Sequence, residues 1–367
     1  MSAEPSAWVA SRRQRVDQIM RLGIEQGVFP GGVVLVSHRR DIVIDASYGH
    51  SFTHRDLRTV SPNPVTTRLD TIYDLASITK LFTATCVMRL VNGQTIRLDD
   101  PVATFLPGFA VNGKADVTVR QLLTHVAGLP QLRLWDVAGG VEERRRRVLT
   151  GRPDFCPGTA MTYHDTNFIV LGQLIEAVTG VGLDQAMNER VLRPLGLRDT
   201  RYGPIPDAAG AVAATEDESC VGRGMLVGDV HDENAWALGG VAGHAGLFGT
   251  ARDLCVFARM YLDGGMSDGT TVLAPETVTR MTRDQTGLGG ARGLGWQLDA
   301  AHYMGGLASP QTFGHTGFTG TSLVIDPRRD LVVVMLTNRV HPTRNGPPLN
   351  PVRRAVADAV LAALPIT

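Results

Sequence analysis

Lysine is nearly absent from this chain of 367 residues: of its 36 basic residues, only Lys80 and Lys114 are lysines and the others are arginines. Neither charge is in excess, because 36 acidic residues balance the basic ones. Proteins that bind nucleic acids usually carry a basic excess that neutralises phosphate. The charge balance therefore argues against a nucleic-acid partner and for an ordinary soluble globular protein.

Long hydrophobic runs are missing as well. Residues 331–336 form one of the longest uninterrupted apolar stretches, far below the ~18 residues that a membrane helix needs. Residues 1–20 lack the basic and then apolar regions of a secretion signal. We therefore expect a cytoplasmic protein without a membrane partner.

Cysteine is scarce, and the four present are widely separated: Cys86, Cys156, Cys220 and Cys255. Their spacing fits no zinc motif, and they are too few to form a disulfide framework in a chain of this length. We expect reduced and mostly buried thiols.

Strands are predicted at both ends of the chain. β-branched residues predict one hairpin from residues 33–36 and 42–44, and a second from 321–325 and 331–336. Residues 51–67 contain many turn formers and are interpreted as a connection. The two hairpins predict one antiparallel sheet to which both ends of the chain contribute.

Helical patterns occupy most of the remaining chain. Capping patterns at Thr118 and Thr250 each open a helix, and other helices are predicted over 8–27, 77–90, 166–192 (a pair) and 352–364. The predicted fold is α/β: an antiparallel sheet of five or more strands flanked by helices, with an inserted all-helical domain. The sheet domain would comprise residues 1–70 and 250–367, the mostly helical domain residues 71–249, and the active site would lie in the cleft between them.

The two lysines differ in their surroundings. Lys114 has no motif around it and is interpreted as incidental, whereas Lys80 follows Ser77 by three residues. That spacing puts both side chains on one face of a helix. A desolvated lysine can take the proton of a serine hydroxyl, which an arginine cannot do. The pair predicts nucleophilic catalysis; the alternative is a helix start with a surface lysine.

Two more motifs follow in chain order: Tyr163 with Asp165 after a Pro-Gly loop, and His-Thr-Gly from residue 315. Tyr261 also begins a Tyr-x-Asp pattern but has no such loop before it, so we prefer Tyr163. Ser-x-x-Lys, Tyr-x-Asp and His-Thr-Gly in this order resemble the penicillin-binding protein and class C β-lactamase superfamily. The resemblance covers about residues 20–362 and extends to esterases of the β-lactamase fold.

The resemblance implies a role for each matching residue. Ser77 would be the acylated nucleophile, Lys80 its partner base, and Tyr163 the relay of the proton to and from the leaving group. His315 would line the cleft opposite Tyr163, and the backbone N–H groups of Ser77 and Phe318 would form the oxyanion hole. Because the sequence does not decide between Lys80 and Tyr163 as base, the two are treated as one coupled unit.

Two positions depart from the family pattern. Asp165 replaces the usual asparagine, which would add a negative charge beside Lys80 and favour its protonated form. His315 replaces the lysine of many relatives, which weakens the positive charge available to a substrate carboxylate. Asp165, Thr316 and Gly317 are candidate substrate contacts, and the two changes argue against efficient β-lactam hydrolysis.

Residues 230–248 are rich in glycine and histidine and resemble the corresponding stretch of penicillin-binding protein 4B and of exo-acting N-acetylmuramoyl-L-alanine amidases. One interpretation is a substrate-binding edge with His231, Asp232 and His244 as polar contacts. A zinc site is a second interpretation, which is disfavoured because no third histidine has metal spacing. The third is a glycine-rich loop needed for tight packing, with hydrogen-bonded histidines. We expect no metal and no cofactor.

These features predict a metal-independent serine hydrolase that forms an acyl-enzyme on a small amide or ester, including peptidoglycan-derived peptides. A carboxylesterase or acyltransferase with the same catalytic residues is one alternative. A non-catalytic ligand-binding or sensor domain on the same fold is another, although such domains usually lose the nucleophile or its lysine. The oligomeric state is not predicted.

Overall fold

The structure is a computed structural model that describes residues 7–289 and 291–362, with side chains from residue 13 onward. These residues form the following strands: β1 (Gly31–His38), β2 (Asp41–His54), β3 (Val60–Thr66), β4 (Tyr73–Asp74), β5 (Arg201–Tyr202), β6 (Leu247–Gly249), β7 (Met266–Ser267), β8 (Thr270–Thr271), β9 (Gln297–Leu298), β10 (Phe313–Thr316), β11 (Ser322–Asp326) and β12 (Leu331–Thr337). They also form the following α-helices: α1 (Ala7–Glu25), α2 (Thr79–Asn92), α3 (Val119–Leu123), α4 (Val141–Thr150), α5 (Thr166–Thr179), α6 (Leu183–Met187), α7 (Glu233–Ala237), α8 (Ala251–Leu262), α9 (Pro275–Met281), α10 (Ala301–Met304) and α11 (Asn350–Leu361).

Seven strands form the main sheet, in the order β3-β2-β1-β12-β11-β10-β9, and every neighbouring pair is antiparallel. The central pair joins the two ends of the chain, since β1 lies against β12 with Leu35 opposite Val334. The predicted antiparallel sheet built from both termini is therefore confirmed.

Side chains of the central strands alternate between two cores. Val33 and Leu35 pack on one face with the inserted helical region and with α8, whereas Val34 and Val36 pack on the other face beneath α1 and α11. The sheet is thus covered by helices on both faces, which leaves its β9–β10 edge to form part of a cleft.

The predicted helices occur with small shifts at their ends. The Thr118 side chain accepts the N–H of Gln121 at the start of α3, and Thr250 accepts the N–H of Asp253 at the start of α8. α6 continues as a π-helical turn over Asn188–Leu192. The last predicted helix ends earlier than expected, at Leu361, and its predicted residues 363–364 lie outside the described residues.

The prediction for residues 51–67 was wrong. Instead of a connection, the chain continues β2 to His54 and then forms β3, which pairs with it. β3 contains Pro62 and Pro64, which signal a turn in sequence but are tolerated in an edge strand because one side of its ladder is unpaired.

The region 71–249 contains the six helices α2 to α7, long irregular segments, and a small sheet in the order β4-β6-β5. Its two outer strands have two residues each, too few to show an alternating pattern in sequence. The boundaries proposed for the two domains stay a prediction.

The cysteines divide equally between interior and surface. Cys86 and Cys255 are buried, whereas Cys156 and Cys220 are exposed, and all four are free thiols. The expectation of mostly buried thiols therefore holds for two of them. Cys156 lies in an irregular segment, and Cys220 lies in a 3₁₀ turn over Ser219–Val221.

No single helix in the described part of the chain is long and apolar enough to cross a membrane. α5 together with residues Leu183–Leu192 reaches that length and composition as a pair, but the pair is bent by 83°. Most of α5 is buried inside the helical region.

Candidate active site

A cleft of about 770 Å³ lies where the helical region meets the β10 side of the main sheet. Ser77, Tyr163 and Asp165 line it from the helical region. The end of β10 contributes His315 and, just beyond, Phe318. The three sequence motifs therefore meet in one cavity.

Ser77 lies in a 3₁₀ turn that leads into α2. The residue before it, Ala76, has φ of +47°, a left-handed conformation that is uncommon for alanine. Its N–H donates to Asp74 Oδ1 (2.8 Å), and Asp74 Oδ2 accepts the N–H of His231 (2.8 Å). The buried Asp74 carboxyl group thus holds the turn that presents Ser77 to the cleft.

Lys80 is fully buried one turn after Ser77. Its Nζ donates to Ser77 Oγ (2.8 Å) and to the His244 carbonyl oxygen (3.2 Å), and forms an ion pair with Asp165 Oδ1 (2.8 Å). An ammonium group has three N–H donors, for which the Tyr163 side chain is a further partner. Burial opposes the charge, but Asp165 and Tyr163 outweigh burial and raise the pKa of Lys80 above its ordinary value. Lys80 is therefore a cation in this site.

Tyr163 lies just before α5 with its ring partly exposed to the cleft. Lys80 Nζ is 5.0 Å and Arg292 Cζ 5.1 Å from the ring centroid. The rings of His125 and His315 lie 4.6 Å and 5.7 Å from it, centroid to centroid. Two cations and two imidazoles therefore surround Tyr163.

Tyr261, the other tyrosine with the Tyr-x-Asp spacing, lies in α8 and is buried in the core. Its hydroxyl is 2.8 Å from Thr85 Oγ1, and it does not line the cleft. The preference for Tyr163 agrees with this geometry.

His315 is buried and neutral. Burial first, and then the charge of Arg292, hold its pKa well below the ordinary value, and the same two causes act on His125. His315 Nδ1 lies 2.8 Å from the Thr316 carbonyl oxygen; because that oxygen can only accept, Nδ1 carries the proton. Its Nε2 is then an acceptor, and it has no hydrogen-bond partner among the described residues.

The turn after β10 approaches Ser77 closely. The N–H of Gly317 donates to the Thr321 carbonyl oxygen (2.8 Å). A Cβ on Gly317 would lie 2.1 Å from Thr321 Oγ1 and 2.7 Å from the Leu75 carbonyl oxygen, so only glycine fits. Phe318, whose side chain is half exposed, follows directly. Its N–H as an oxyanion donor stays a prediction.

The two histidines of the glycine-rich segment occupy different layers. His231 and Asp232 line the cleft, but His244 is fully buried behind them. His244 Nε2 lies 2.7 Å from Asp232 Oδ1, and His231 Nε2 lies 2.8 Å from Glu216 Oε2. The expectation that His244 contacts substrate is therefore not met, because its ring is hydrogen-bonded beneath the cleft surface.

The glycines of this segment serve packing, as the structural alternative expects. A Cβ on Gly243 would lie 2.1 Å from the carbonyl oxygen of Phe168 in α5. The segment can approach the helix this closely only without a side chain, and the approach brings the His244 carbonyl oxygen to Lys80.

Two clusters have ligand atoms close enough to hold a metal ion: Asp165, Asp232 and His244, and Glu216, Glu218 and His231. Each already contains a protein cation. Lys80 pairs with Asp165, and Arg344 pairs with both glutamates. A metal ion would meet the repulsion of these cations, so the expectation of a metal-free site stays our prediction.

The residues of the site that were missed from the sequence include Asp74, His125 and Arg292, and the cleft arginines Arg339 and Arg353. Asp74 lies three residues before Ser77, and this proximity was its only signal. His125 and Arg292 belong to no motif, and only the fold brings them to Tyr163.

Comparisons with known proteins agree with this arrangement. Residues 13–358 match the protein family described as Beta-lactamase. A relative from Salmonella heidelberg (strain SL476), provisionally named a D-alanyl-D-alanine carboxypeptidase, is 32% identical over 374 residues, which cover 93% of this chain and 86% of the relative.

Solved structures show the same fold. A class C beta lactamase superposes with a TM-score of 0.77 at 16% identity, covering 98% of this chain and 100% of that one. EstCE1, described as a hydrolase with promiscuous acyltransferase activity, superposes with a TM-score of 0.74 at 24% identity, covering 96% and 99%.

Proposed function

The chain belongs to the beta-lactamase family and is a serine hydrolase, and from this premise we propose that Ser77 carries the acyl group during hydrolysis of small amides or esters. The observation that supports this most directly is the 2.8 Å contact between Lys80 Nζ and Ser77 Oγ beside Tyr163 in an open cleft. A nucleophile held against a charged partner within a cavity is the usual arrangement for acyl transfer.

In the acylation step, Ser77 Oγ attacks the substrate carbonyl carbon and its proton passes to Tyr163. We assign the base to Tyr163 as phenolate because the Lys80 ammonium is held protonated by Asp165. The N–H groups of Ser77 and Phe318 receive the oxyanion. The bond to the leaving nitrogen or oxygen then breaks, and the proton on Tyr163 moves to that leaving atom.

In the deacylation step, water attacks the ester carbonyl carbon and gives its proton to Tyr163. The carboxylic acid leaves as Ser77 regains a proton from Tyr163. An alcohol in place of water would produce an ester, so an acyltransferase needs no further catalytic residue. EstCE1, which is described as having promiscuous acyltransferase activity, supports acyl transfer as the second candidate function.

Charges in the cleft favour a substrate with a carboxylate. Arg339 and Arg353 line the cleft and form no ion pair with any described carboxylate. On the helical side, Asp165 and Glu233 are paired with Lys80 and Arg344, and Asp232 lies 2.7 Å from the His244 ring. The uncompensated charge is positive and attracts an anion. We propose short peptides with a free terminal carboxylate, including those derived from peptidoglycan, as the substrate class.

Labelling with a fluorophosphonate probe and intact-mass spectrometry tests the nucleophile. We expect one adduct on wild type and none on Ser77→Ala. Ser267→Ala, in β7 away from the cleft, is the matched control and should be labelled like wild type. We also expect Ser77→Ala to hydrolyse p-nitrophenyl butyrate at least ~10³-fold more slowly. Equal labelling of Ser77→Ala and wild type, or an unlabelled wild type, would contradict the proposal and favour a non-catalytic domain.

A substrate pair tests the proposed class. A peptide ending in D-Ala-D-Ala should have a kcat/KM about tenfold or more above that of its C-terminal amide, because only the acid meets the unpaired arginines. Equal values, with active-site labelling intact, would reject the peptide acid and leave the esterase. Products formed in the presence of a short alcohol would separate hydrolysis from acyl transfer.

A further inference from the structure

We infer that Arg292 is a positioning residue of this site, whose buried guanidinium favours the phenolate form of Tyr163. The inference rests on the proposed function, because it concerns the group to which that mechanism assigns proton transfer. Arg292 lies in no sequence motif and comes from the irregular segment before β9.

Arg292 is a buried cation without a counter-ion. Its side chain is only 7% exposed, and Nη1 has no hydrogen-bond partner among the described residues. No described carboxylate lies within ion-pair distance. Burying an unpaired charge is costly, so this guanidinium needs an anionic partner to be stable in the folded protein. Two phenols, Tyr163 and the fully buried Tyr303, interact with this charge, and Tyr163 is the one that faces the cleft, with its ring centroid 5.1 Å from Cζ.

The other neighbours of Tyr163 supply less positive charge to its phenolate than Arg292 does. His125 and His315 are held neutral and add no charge. Lys80 is positive, but Asp165 lies 2.8 Å from its Nζ and cancels much of its field. Among the described groups that contact the Tyr163 ring, Arg292 therefore provides the uncompensated positive charge.

The cleft arginines Arg339 and Arg353 face groups other than Tyr163. Arg353 donates to the carbonyl oxygens of Gly317 and Thr321. Arg339 lies over the ring of Phe318, with Cζ 5.6 Å from its centroid. In the described part of the chain neither of them lies over the Tyr163 ring, so of the cleft arginines Arg292 is the one that adds its charge there.

The backbone around Arg292 is anchored, which fixes the guanidinium in place. Its carbonyl oxygen accepts the N–H of Gln285 (2.8 Å), and the residue forms an antiparallel bridge with Gln297. Gln297 is the first residue of β9, so the edge of the main sheet carries Arg292 toward the cleft.

The first test is the pH dependence of kcat/KM with the neutral ester p-nitrophenyl butyrate. Arg292→Gln should move the acidic limb upward by about one pH unit, because a positive charge near 5 Å is lost. At pH values below the midpoints of both proteins its kcat/KM should be about tenfold lower. Arg292→Lys should restore the limb toward wild type, and Arg252→Gln, at an exposed arginine that pairs with Asp45 away from the cleft, should leave it in place.

The second test does not depend on activity. Burial raises the pKa of the other five tyrosines, which are Tyr48, Tyr73, Tyr202, Tyr261 and Tyr303. The first tyrosinate absorbance seen on raising the pH should therefore come from Tyr163 and vanish in Tyr163→Phe. That first step should move to higher pH in Arg292→Gln, or in Arg292→Met if the glutamine variant does not fold.

An unmoved acidic limb and an unmoved tyrosinate step in a folded neutral variant would overturn the inference. So would a loss confined to carboxylate substrates, which would make Arg292 a substrate-binding residue. Fluorophosphonate labelling keeps the two proposals apart. Absent labelling of wild-type Ser77 rejects the proposed function, whereas normal labelling with unmoved titrations rejects only the role of Arg292.

Discussion

At the scale of residues, the two lysines share a property that sequence did not show. Lys80 and Lys114 are both fully buried. Lys114 Nζ donates to the carbonyl oxygens of Val111 (2.9 Å) and Gly151 (2.6 Å), so it ties two loops together and is not incidental. An ammonium is a compact donor, whereas a guanidinium is a wide planar fork. The rare lysines therefore mark buried sites, and one of the two lies at the cleft.

The site residues fall into two groups according to how they could be predicted. Ser77, Lys80 and Tyr163 could be named because their motifs combine short spacings with a fixed chain order. Arg292 and His125 could not, because being buried beside a tyrosine is a property of the fold and leaves no local pattern. The catalytic roles themselves stay predictions.

Replacing Asp165 should move the pH profile of kcat/KM in the opposite direction to replacing Arg292. Replacing it by asparagine removes a negative charge beside Lys80, which lowers the pKa of Lys80 and of every neighbouring group. Asp165→Asn should therefore move the whole pH profile of kcat/KM for p-nitrophenyl butyrate to lower pH, by about one unit at the alkaline limb. Asp116→Asn, at an exposed carboxylate, is the control and should leave the profile where it is.

The alkaline limb of the pH profile distinguishes a protonated Lys80 from a Lys80 that acts as the neutral base. If Lys80 must be protonated, easier loss of its proton brings the alkaline limb down, as stated. If Lys80 were instead the neutral base, the same lowered pKa would extend activity only at the acidic side. An alkaline limb that stays in place would therefore contradict the assignment of Lys80 as a working cation.

Among helices and strands, short sequence patterns predicted the features that depend on interactions between residues close in sequence. The caps at Thr118 and Thr250 opened helices where expected, because a cap depends on residues three apart. The strand β3 was missed because its prolines signal turns, and only the absence of an outer neighbour makes them acceptable in a strand. The glycine-rich segment could be noticed but not explained, since its contact with α5 joins residues distant in sequence.

That contact can be tested with Gly243→Ala. The added Cβ would meet the Phe168 carbonyl oxygen at 2.1 Å, so the segment must move away from α5. We expect a loss of about 1–3 kcal/mol in the free energy of unfolding, as for other overpacked sites. Activity should also fall, because the same movement withdraws the His244 carbonyl oxygen from Lys80. Urea denaturation and kcat/KM measure the two effects.

Gly140→Ala is the matched control. Gly140 precedes α4 with φ of −85°, and an added Cβ there would have no heavy atom of the described residues within 4 Å. Its free energy of unfolding should stay within about 0.5 kcal/mol of wild type. A Gly243→Ala protein as stable and active as this control would show that the segment does not need its close approach to α5.

At the scale of the whole molecule, the sheet joins the two ends of the chain, and a buried histidine reinforces the same closure. His341, just beyond β12, accepts the backbone N–H groups of Thr53 (2.9 Å) and His54 (3.2 Å) at the end of β2. Its Nδ1 lies 3.0 Å from the Thr215 carbonyl oxygen in the inserted region. One neutral imidazole therefore links the sheet from both ends of the chain to the insertion.

This link predicts a dependence of stability on pH. Burial lowers the pKa of His341 to about 4, although the Thr215 carbonyl oxygen favours its protonated form. In the unfolded chain the pKa is about 6.5, so the unfolded state binds the proton more readily. Stability from this residue is complete above pH 6.5 and is lost as the pH falls toward 4. Between pH 7.5 and 5.0 the loss is about 2 kcal/mol.

His341→Gln separates this residue from the other buried histidines. Glutamine can accept from the β2 backbone and donate to Thr215 but does not titrate. Urea unfolding at pH 7.5 and 5.0, followed by tryptophan fluorescence, should show a fall in the free energy of unfolding that is about 2 kcal/mol smaller in the variant. His315 and His125 keep their own contributions in both proteins, since their charged forms are also disfavoured by burial. An equal fall in variant and wild type would mean that protonation of His341 does not destabilise the folded protein.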